Sequence, residues 1–435
     1  MSLTGLIVGT LLLFSIPAPG QDAEIPKKLT LADALSIAEA ANPNFRAARN
    51  VVEIAEADAL EAASRPNPAI AVEGEEYSIF GPSLPSFFNG QALIVRMEQE
   101  IETAGRRGHR MKAADAGIGV ARSEVADELR QLQLEVSKAY FQLVLAQANR
   151  TTAGAALKDI ERVIGLTEAR FNAGEVAGTE LRRLQVERLH FFDQVLTTEL
   201  AVSDARIVLL NLLGATDLNQ EFEAIDPLEP PPLRGPDGGL IATDEGVTAE
   251  LNSLRRDAAS IRPDLQAARL TRERAEAEMD LQVALRAPNV TFAWGYRRDF
   301  GEHAMDFEVS FPIPLFGSLN PAGVQRAFAE RRRAQALERA TKVAVDSELQ
   351  KAANAVDSSA KRVRYIDQEY LRSSRELHDL IQASYHLGET ALIDFLDVQR
   401  EFIVTQQVRN QALYDLRISL IEMAAAVGIR PAGKP

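Results

Sequence analysis

With 435 residues, nearly half of them hydrophobic, this chain has ample apolar side chain for packed cores and does not read as a disordered tail. A net charge of -14 works against a nucleic-acid partner, because affinity there comes largely from Lys and Arg neutralising phosphates. The absence of cysteine excludes disulfides, thiolate metal sites and a lipid anchor on a mature N-terminal cysteine.

The apolar run from Leu6 to Ile16 is too short to span a bilayer and is followed by the small residues Ala18-Pro19-Gly20, so residues 1–20 read as a cleaved signal peptide. Thr30-Leu31-Ala32-Asp33 has the form of a capping box opening a helix to about Ala41. Asn42-Pro43 interrupts that helix, and a second runs from Phe45 to about Ser64; its counterpart after Arg262-Pro263 is Leu265 to about Leu285.

Beyond these helices the period changes from helical to alternating. Leu93, Val95, Met97, Gln99 and Ile101 share one face, with Arg96, Glu98 and Glu100 on the other. Val290, Phe292, Trp294 and Tyr296 repeat the pattern, followed by Phe307, Val309, Phe311, Ile313 and Leu315. Loops at 81–89 and 299–304 join each pair, giving strand pairs at about 69–102 and 289–316; the stretch 69–80 alternates poorly because of Glu73, Glu75 and Glu76. Strands of about ten residues cross an outer membrane when tilted. Aromatics gather here (Tyr77, Phe80, Phe87, Phe88, Phe300 and Phe316 besides those named), and no amphipathic helix is placed to cover the sheet. A soluble sheet would need such a cover, so the pattern favours a membrane barrel, with Trp294, Tyr296, Phe307 and Phe311 facing lipid.

No proline occurs between Pro85 and Pro227 or between Pro321 and Pro431, which leaves about 70 residues of helix, roughly 100 Å, running to each of two tips. Heptads run in along Val125, Leu129, Leu132, Val136, Ala139 and Leu143, and along Leu349, Ala352, Val356, Ser359, Val363, Ile366, Tyr370, Ser373, Leu377 and Leu380. They run out along Leu181, Leu184, Phe191, Val195, Val202, Ala205, Leu209 and Leu212, and along Phe395, Val398, Thr405, Arg409, Leu416, Ser419 and Met423. The tips, 171–181 and 385–395, correspond: Gly174 with Gly388, Glu175 with Glu389, Gln185 with Gln399, Glu187 with Glu401 and Gly214 with Gly428, each pair 214 positions apart. The tip glycines are where a chain leaving a helix takes a positive φ and reverses. The chain therefore divides into a first repeat (21–214), a Pro- and Gly-rich linker with an equatorial segment (215–250), a second repeat (251–428) and a tail (429–435).

Signal, duplicated helix–strand–strand–long helix–tip–return helix and the absence of cysteine together resemble the outer-membrane efflux (TolC-like) family, over about Leu29 to Gly428. The most specific elements are the second tip, Tyr385-x-x-Gly388 leading to Asp394-Phe395-Leu396-Asp397, and the landmarks Asn42-Pro43 and Leu213-Gly214. The phrase Glu98 to Arg110 is similar to the branch serving heavy-metal pumps (CzcC-like). The resemblance implies a mainly α fold with a transmembrane β part. Each subunit of a homotrimer would give four strands to a twelve-stranded outer-membrane barrel and its coiled hairpins to a periplasmic tunnel. It also implies a passive exit duct working with a periplasmic adaptor protein and an inner-membrane pump of RND type. Open strand edges, which lipid does not tolerate, give a physical reason for such partners.

Asp394 and Asp397 match the family's acidic periplasmic gate, although helix starts also favour Asp on dipole grounds. Gly174, Glu175, Gly388, Glu389 and His386 are the expected adaptor contacts. The five histidines do not cluster at ligand spacing, so no metal site or cofactor is expected; Arg106-Arg107 and Arg331 to Arg333 read as solvated faces or headgroup contacts. No catalytic motif is present, so an enzyme is not expected. An exported coiled-coil spacer would account for the heptads but not for the alternating aromatic segments at matching places in both repeats.

Overall fold

The computed structural model describes residues 25–75, 92–235, 240–243, 245–247, 251–299, 302–313 and 320–430. The expected signal peptide, the tail from 431, and Glu76, Tyr77, Phe80, Phe87, Phe88, Phe300, Leu315 and Phe316 lie outside them. After a short strand β1 (Lys28–Leu29), the first repeat runs α1 (Leu31–Ala41), α2 (Pro43–Ala63), β2 (Ala69–Glu75), β3 (Ala92–Ile101), α3 (Arg106–Asn172) and α4 (Gly178–Leu212). The connecting segment adds β4 (Glu223–Ala224), parallel to β1, and a small meander of β5 (Leu233–Arg234), β6 (Leu240–Thr243) and β7 (Gly246–Val247). The second repeat follows as α5 (Leu251–Ile261), α6 (Pro263–Ala284), β8 (Val290–Asp299), β9 (Glu302–Ser310), α7 (Pro321–Tyr365), α8 (Leu371–Leu387) and α9 (Leu392–Val427).

Local chemistry sets these boundaries. Thr30 and Asp33 form the reciprocal capping box that starts α1. Asn42 closes α1 and opens α2, accepting from Phe45 N (3.0 Å) while its amide donates to Leu212 O (2.8 Å), which ties the helix break to the end of α4. The first turns of α3 supply arginines that act on backbone, not solvent. Arg107 Nε donates to Ala63 O (2.7 Å), Arg110 to Ala62 O and Ser64 O (3.1 Å each), and Arg106 to the carbonyls of Leu285 and Ala287. These are orphan carbonyls at the ends of α2 and α6, where a cation also meets the negative end of the helix dipole. The reading of Arg106-Arg107 as a solvated face is thereby corrected; Arg331 and Arg332 instead lie over the half-exposed ring of Phe328.

The heptads predicted on α4 and α9 are the inward stripes of those helices: Leu184, Phe191, Val202, Ala205 and Leu209 are buried, as are Phe395, Thr405, Leu416, Ser419 and Met423. One core, at the waist, gathers α1, α3, α4, α5, α7 and α9 around the fully buried Tyr140 and Phe141.

On the way into the second tip the heptad does not continue straight. Between α7 and α8 the five residues Ile366–Tyr370 form a π turn, which holds one residue more than an α turn and rotates everything beyond it. Ser373, Leu377 and Leu380, expected in the seam, are therefore exposed, and His378 and Tyr385 are buried in their place. Removing the exposed Gln368 should convert the π turn to α and return His378, Ile381 and Tyr385 to an unbroken heptad. Stability should fall by no more than about 1 kcal/mol. Deleting Lys158 from the regular α3 has no such slack and should disrupt the tip. Trimer yield and thermal midpoint of the two deletions measure the difference, and equal damage would refute the register account.

The sheet has the order β2-β3-β8-β9, antiparallel throughout, so hairpins from the two repeats meet at β3 and β8. The register places Ile70, Val72, Val95, Met97, Phe292, Trp294, Tyr296, Met305, Phe307 and Val309 on one face. The opposite face carries Glu73, Arg96, Glu98, Glu100, Arg297, Asp299, Glu302, Asp306 and Glu308; Glu73, disruptive in the sequence pattern, thus joins a polar face. Arg96 bridges three strands there, 2.8 Å from Glu308, 3.5 Å from Asp306 and 3.8 Å from Glu73. Two expectations are corrected. The second strand ends at Ser310, so Phe311 and Ile313 are exposed residues beyond it, flanking a proline that has no amide for a ladder; and Asp299 and Glu302–Ala304 are strand, not loop.

Candidate functional site: the duct from tip to barrel

Both tips end their helices in the same way. Gly174 and Gly388 take φ of +82° and +80°, which L side chains avoid; Glu175 N donates to Arg170 O and Glu389 N to Ser384 O, each at 2.9 Å. Gly174 has open space around it, whereas a Cβ on Gly388 would stand 3.1 Å from Arg170 Nη2 of the first hairpin. Glu175, Glu389 and His386 are exposed, and Arg170 lies 3.4 Å from Glu175.

Below their ends the two hairpins share a second core. Ile160 and Val163 of α3 and Leu184 and Phe191 of α4 meet Tyr385, Leu392, Phe395, Leu396 and Ile403. Tyr385 stacks on Phe395 at 4.8 Å, and its hydroxyl lies 3.4 Å from Thr167 Oγ1. The second tip is therefore held against the first, not free beside it.

Asp394 and Asp397, one turn apart at the start of α9, are both exposed. Asp397 is not an isolated carboxylate: Arg400 Nη1 lies 3.4 Å from it. The same guanidinium forks onto Glu187 of α4, with Nε to Oε1 at 2.8 Å and Nη2 to Oε2 at 2.5 Å. Glu187 is only 5% exposed. Sequence reasoning listed Glu187 and Glu401 as an equivalent pair without seeing that each accepts a cross-helix bond, Glu187 from Arg400 and Glu401 from the Tyr370 hydroxyl. A carboxylate repeated on two coiled helices was the available signal. Gln399, repeated likewise, accepts at 2.6 Å from His378, which is buried and stacked on Phe402. Among the described residues no group of three or more His, Asp or Glu is arranged to hold a metal ion.

At the far end, Trp294, Tyr296 and Phe307 stand on the apolar sheet face and are exposed among the described residues, Phe307 being 76% exposed and Tyr296 stacking on His303; Phe311 lies just past the strand. Among the described residues both sheet edges, β2 and β9, are unpaired within one chain. No described helix is long and apolar enough to cross a membrane.

The sequence model of a family described as outer membrane efflux protein matches residues 34–215 and 254–429, one block in each half of the chain. The cobalt-zinc-cadmium resistance protein CzcC of Cupriavidus metallidurans is 22% identical over 374 residues, covering 86% of this chain and 83% of that protein. The outer membrane protein TolC of Vibrio cholerae is 25% identical over 325 residues, covering 71% and 70%. Among solved structures, CusC superimposes with a TM-score of 0.74 at 17% identity, covering 92% of each chain.

Proposed function

Because this chain belongs to the outer membrane efflux protein family, we propose that it serves as the exit duct for heavy-metal cations, with Asp394 and Asp397 forming its periplasmic gate. It is an outer-membrane channel and a homotrimer that conducts passively, downstream of a periplasmic adaptor and an inner-membrane RND pump. The observation that carries the duct is a sheet that, among the described residues, has one charged face, one exposed apolar face and two unpaired edges. Lipid tolerates such a sheet only in a closed barrel, and four strands from each of three subunits close one of twelve.

Two observations support the cation reading. A relative of matching length is a cobalt-zinc-cadmium resistance protein, and the second tip carries two exposed carboxylates one turn apart. Three copies put six carboxylates around one opening, where mutual repulsion is relieved by cations. Arg400, shared between Asp397 and the buried Glu187, sets how far α9 stands from α4 just inside the entrance. The tips, with Gly174, Glu175, His386, Gly388 and Glu389, are the surface offered to the adaptor.

Planar-bilayer recording of the purified trimer tests the gate. Asp394→Asn with Asp397→Asn should lower cation over anion selectivity and weaken block by multivalent cations several-fold. Stability should change by less than about 1 kcal/mol, since the Asp397 pair is exposed. Unchanged selectivity and block would reduce both aspartates to ordinary helix-start residues.

A further inference from the structure

The stripe that buries Leu184, Phe191, Val202 and Leu209 accounts for one side of α4. A second apolar heptad runs along the opposite side: Val186, Leu189, Leu196, Leu200 and Ile207, each 41% to 62% exposed. Asp193 and Asp204 lie in the same outer stripe, and neither carboxylate has an ion-pair partner among the described residues. A helix with two apolar stripes needs two partners, and its own chain covers one of them. Below the waist α4 packs on α3, α3 on α9, and α9 on α7 and α8, so α4 stands at one side of the set and the α7–α8 run at the other.

Contacts inside the chain fix the level of one side against the other. Arg400 of α9 bonds to Glu187 of α4, and Gln399 beside it accepts from His378 of α8, so Glu187 and His378 stand level. From there α4 climbs away from the tip, and α8 and α7, followed backwards, climb with it at about 1.5 Å per residue. Equal steps bring Asp193 level with Arg372, Leu200 with Tyr365 and Asp204 with Lys361; one step towards the tip, Val186 comes within a residue of Leu380. All four residues on the α7–α8 side are exposed, Tyr365 and Leu380 by 67% each. Lys361 has no ion pair among the described residues, and Arg372 has one only to Glu376, a turn away on its own helix. The two sides therefore match in kind at each level, apolar with apolar and Asp with cation. The π turn belongs to this arrangement, because the register it imposes turns Leu380 out of its own hairpin.

We propose that the outer stripe of α4 is the seam on which a second copy of this chain docks, with α7–α8 of the partner subunit laid antiparallel along it. Leu200 packs on the partner's Tyr365 and Val186 on the partner's Leu380, while Asp193 and Asp204 pair with the partner's Arg372 and the partner's Lys361. The sheet above argues for this occupant. A barrel of three subunits closes by setting β2 of one copy beside β9 of the next, a first-repeat edge against a second-repeat edge. The helices below continue that order, α4 being first-repeat and α7–α8 second-repeat. The seam rests on the homotrimer and is independent of the gate and of the cargo.

The chain has no cysteine, so an introduced pair reports on the seam without background. The full chain carrying Leu200→Cys with Tyr365→Cys, oxidised as purified trimer with copper phenanthroline, should give covalent dimers and trimers on denaturing gels. Val186→Cys with Leu380→Cys should do the same nearer the tip. Linking should be about ten-fold slower for Leu200→Cys with Ser358→Cys, whose second position is also exposed but stands one heptad, about 10 Å, off register. Equal rates for matched and off-register pairs would overturn the register. Unlinked copies of both matched pairs in a trimer that is intact on native gels would overturn the seam and show that something other than a second copy covers α4. A monomer on native gels would instead remove the homotrimer on which the seam rests.

Discussion

Gly295→Ala should leave no trimeric barrel in the outer-membrane fraction. Gly295 sits in β8 opposite Arg96 of β3 and Asp306 of β9, on the charged face of the sheet. A Cβ there would stand 2.7 Å from Arg96 Cα and 2.8 Å from Arg96 Cβ, with the Val95 carbonyl closer still. Backbone cannot yield as a side-chain end does, so the methyl forces β3 and β8 apart. Overpacking alone costs about 1–3 kcal/mol, and each ladder group then left unpaired in lipid adds several more. This pairing is also the seam between the hairpins of the two repeats, so its loss divides the sheet in half. Trimer mobility on unheated gels and mass in mild detergent report the outcome; wild-type trimer in normal amount would show that the strands can part without cost.

Arg262→Met should destabilise the folded subunit by about 3 kcal/mol at neutral pH, the lower end of the range for breaking a buried ion pair. Arg262 is 2% exposed, and its guanidinium contacts three structural elements. Nε and Nη2 fork onto Asp264 (3.0 and 2.7 Å), and Nη1 reaches Glu348 (2.7 Å) and Ala426 O (2.9 Å), which locks the start of α6 to α7 and to the end of α9. Burial acts to raise the Asp264 pKa, but the hydrogen bonds and charge of Arg262 outweigh it and hold the carboxyl below its usual range. A depressed folded-state pKa contributes stability that is present above the unfolded value, near 4, and is lost as pH falls through the folded value. The gap between wild-type and variant thermal midpoints should therefore narrow on going from pH 7 to below about 4. A gap that stays constant over that range would show that Arg262 acts by packing alone.

The duplication, the tips and the two-faced strands were legible because each rests on a short-range period or a fixed spacing: Gly174 and Gly388, or Trp294 and Tyr296, need no knowledge of what they touch. What was missed acts at long range in sequence. Arg106, Arg107 and Arg110 bond to carbonyls of α2 and to the turn after α6, which no local pattern connects to the start of α3. The π turn has no residue signature, and a heptad extended through Ile366–Tyr370 by arithmetic puts Leu377 and Leu380 where His378 and Ile381 lie. At the candidate gate the aspartates were visible, whereas the Arg400–Glu187 fork joins positions in different hairpins.

The near-equality of the two tips constrains anything that docks on them. Three copies of a duplicated chain present six backbone reversals of the same geometry, but they differ in charge at one position: the exposed Arg183 of one tip corresponds to the exposed Asp397 of the next, whereas Glu175 and Glu389 keep one sign. To the backbone the ring is six-fold, and to a charged side chain it is three-fold. A docking ring of six identical protomers would therefore occupy two kinds of seat. It must either accept both with one surface, by reading the glycine turns and ignoring the charges, or divide into alternating conformers.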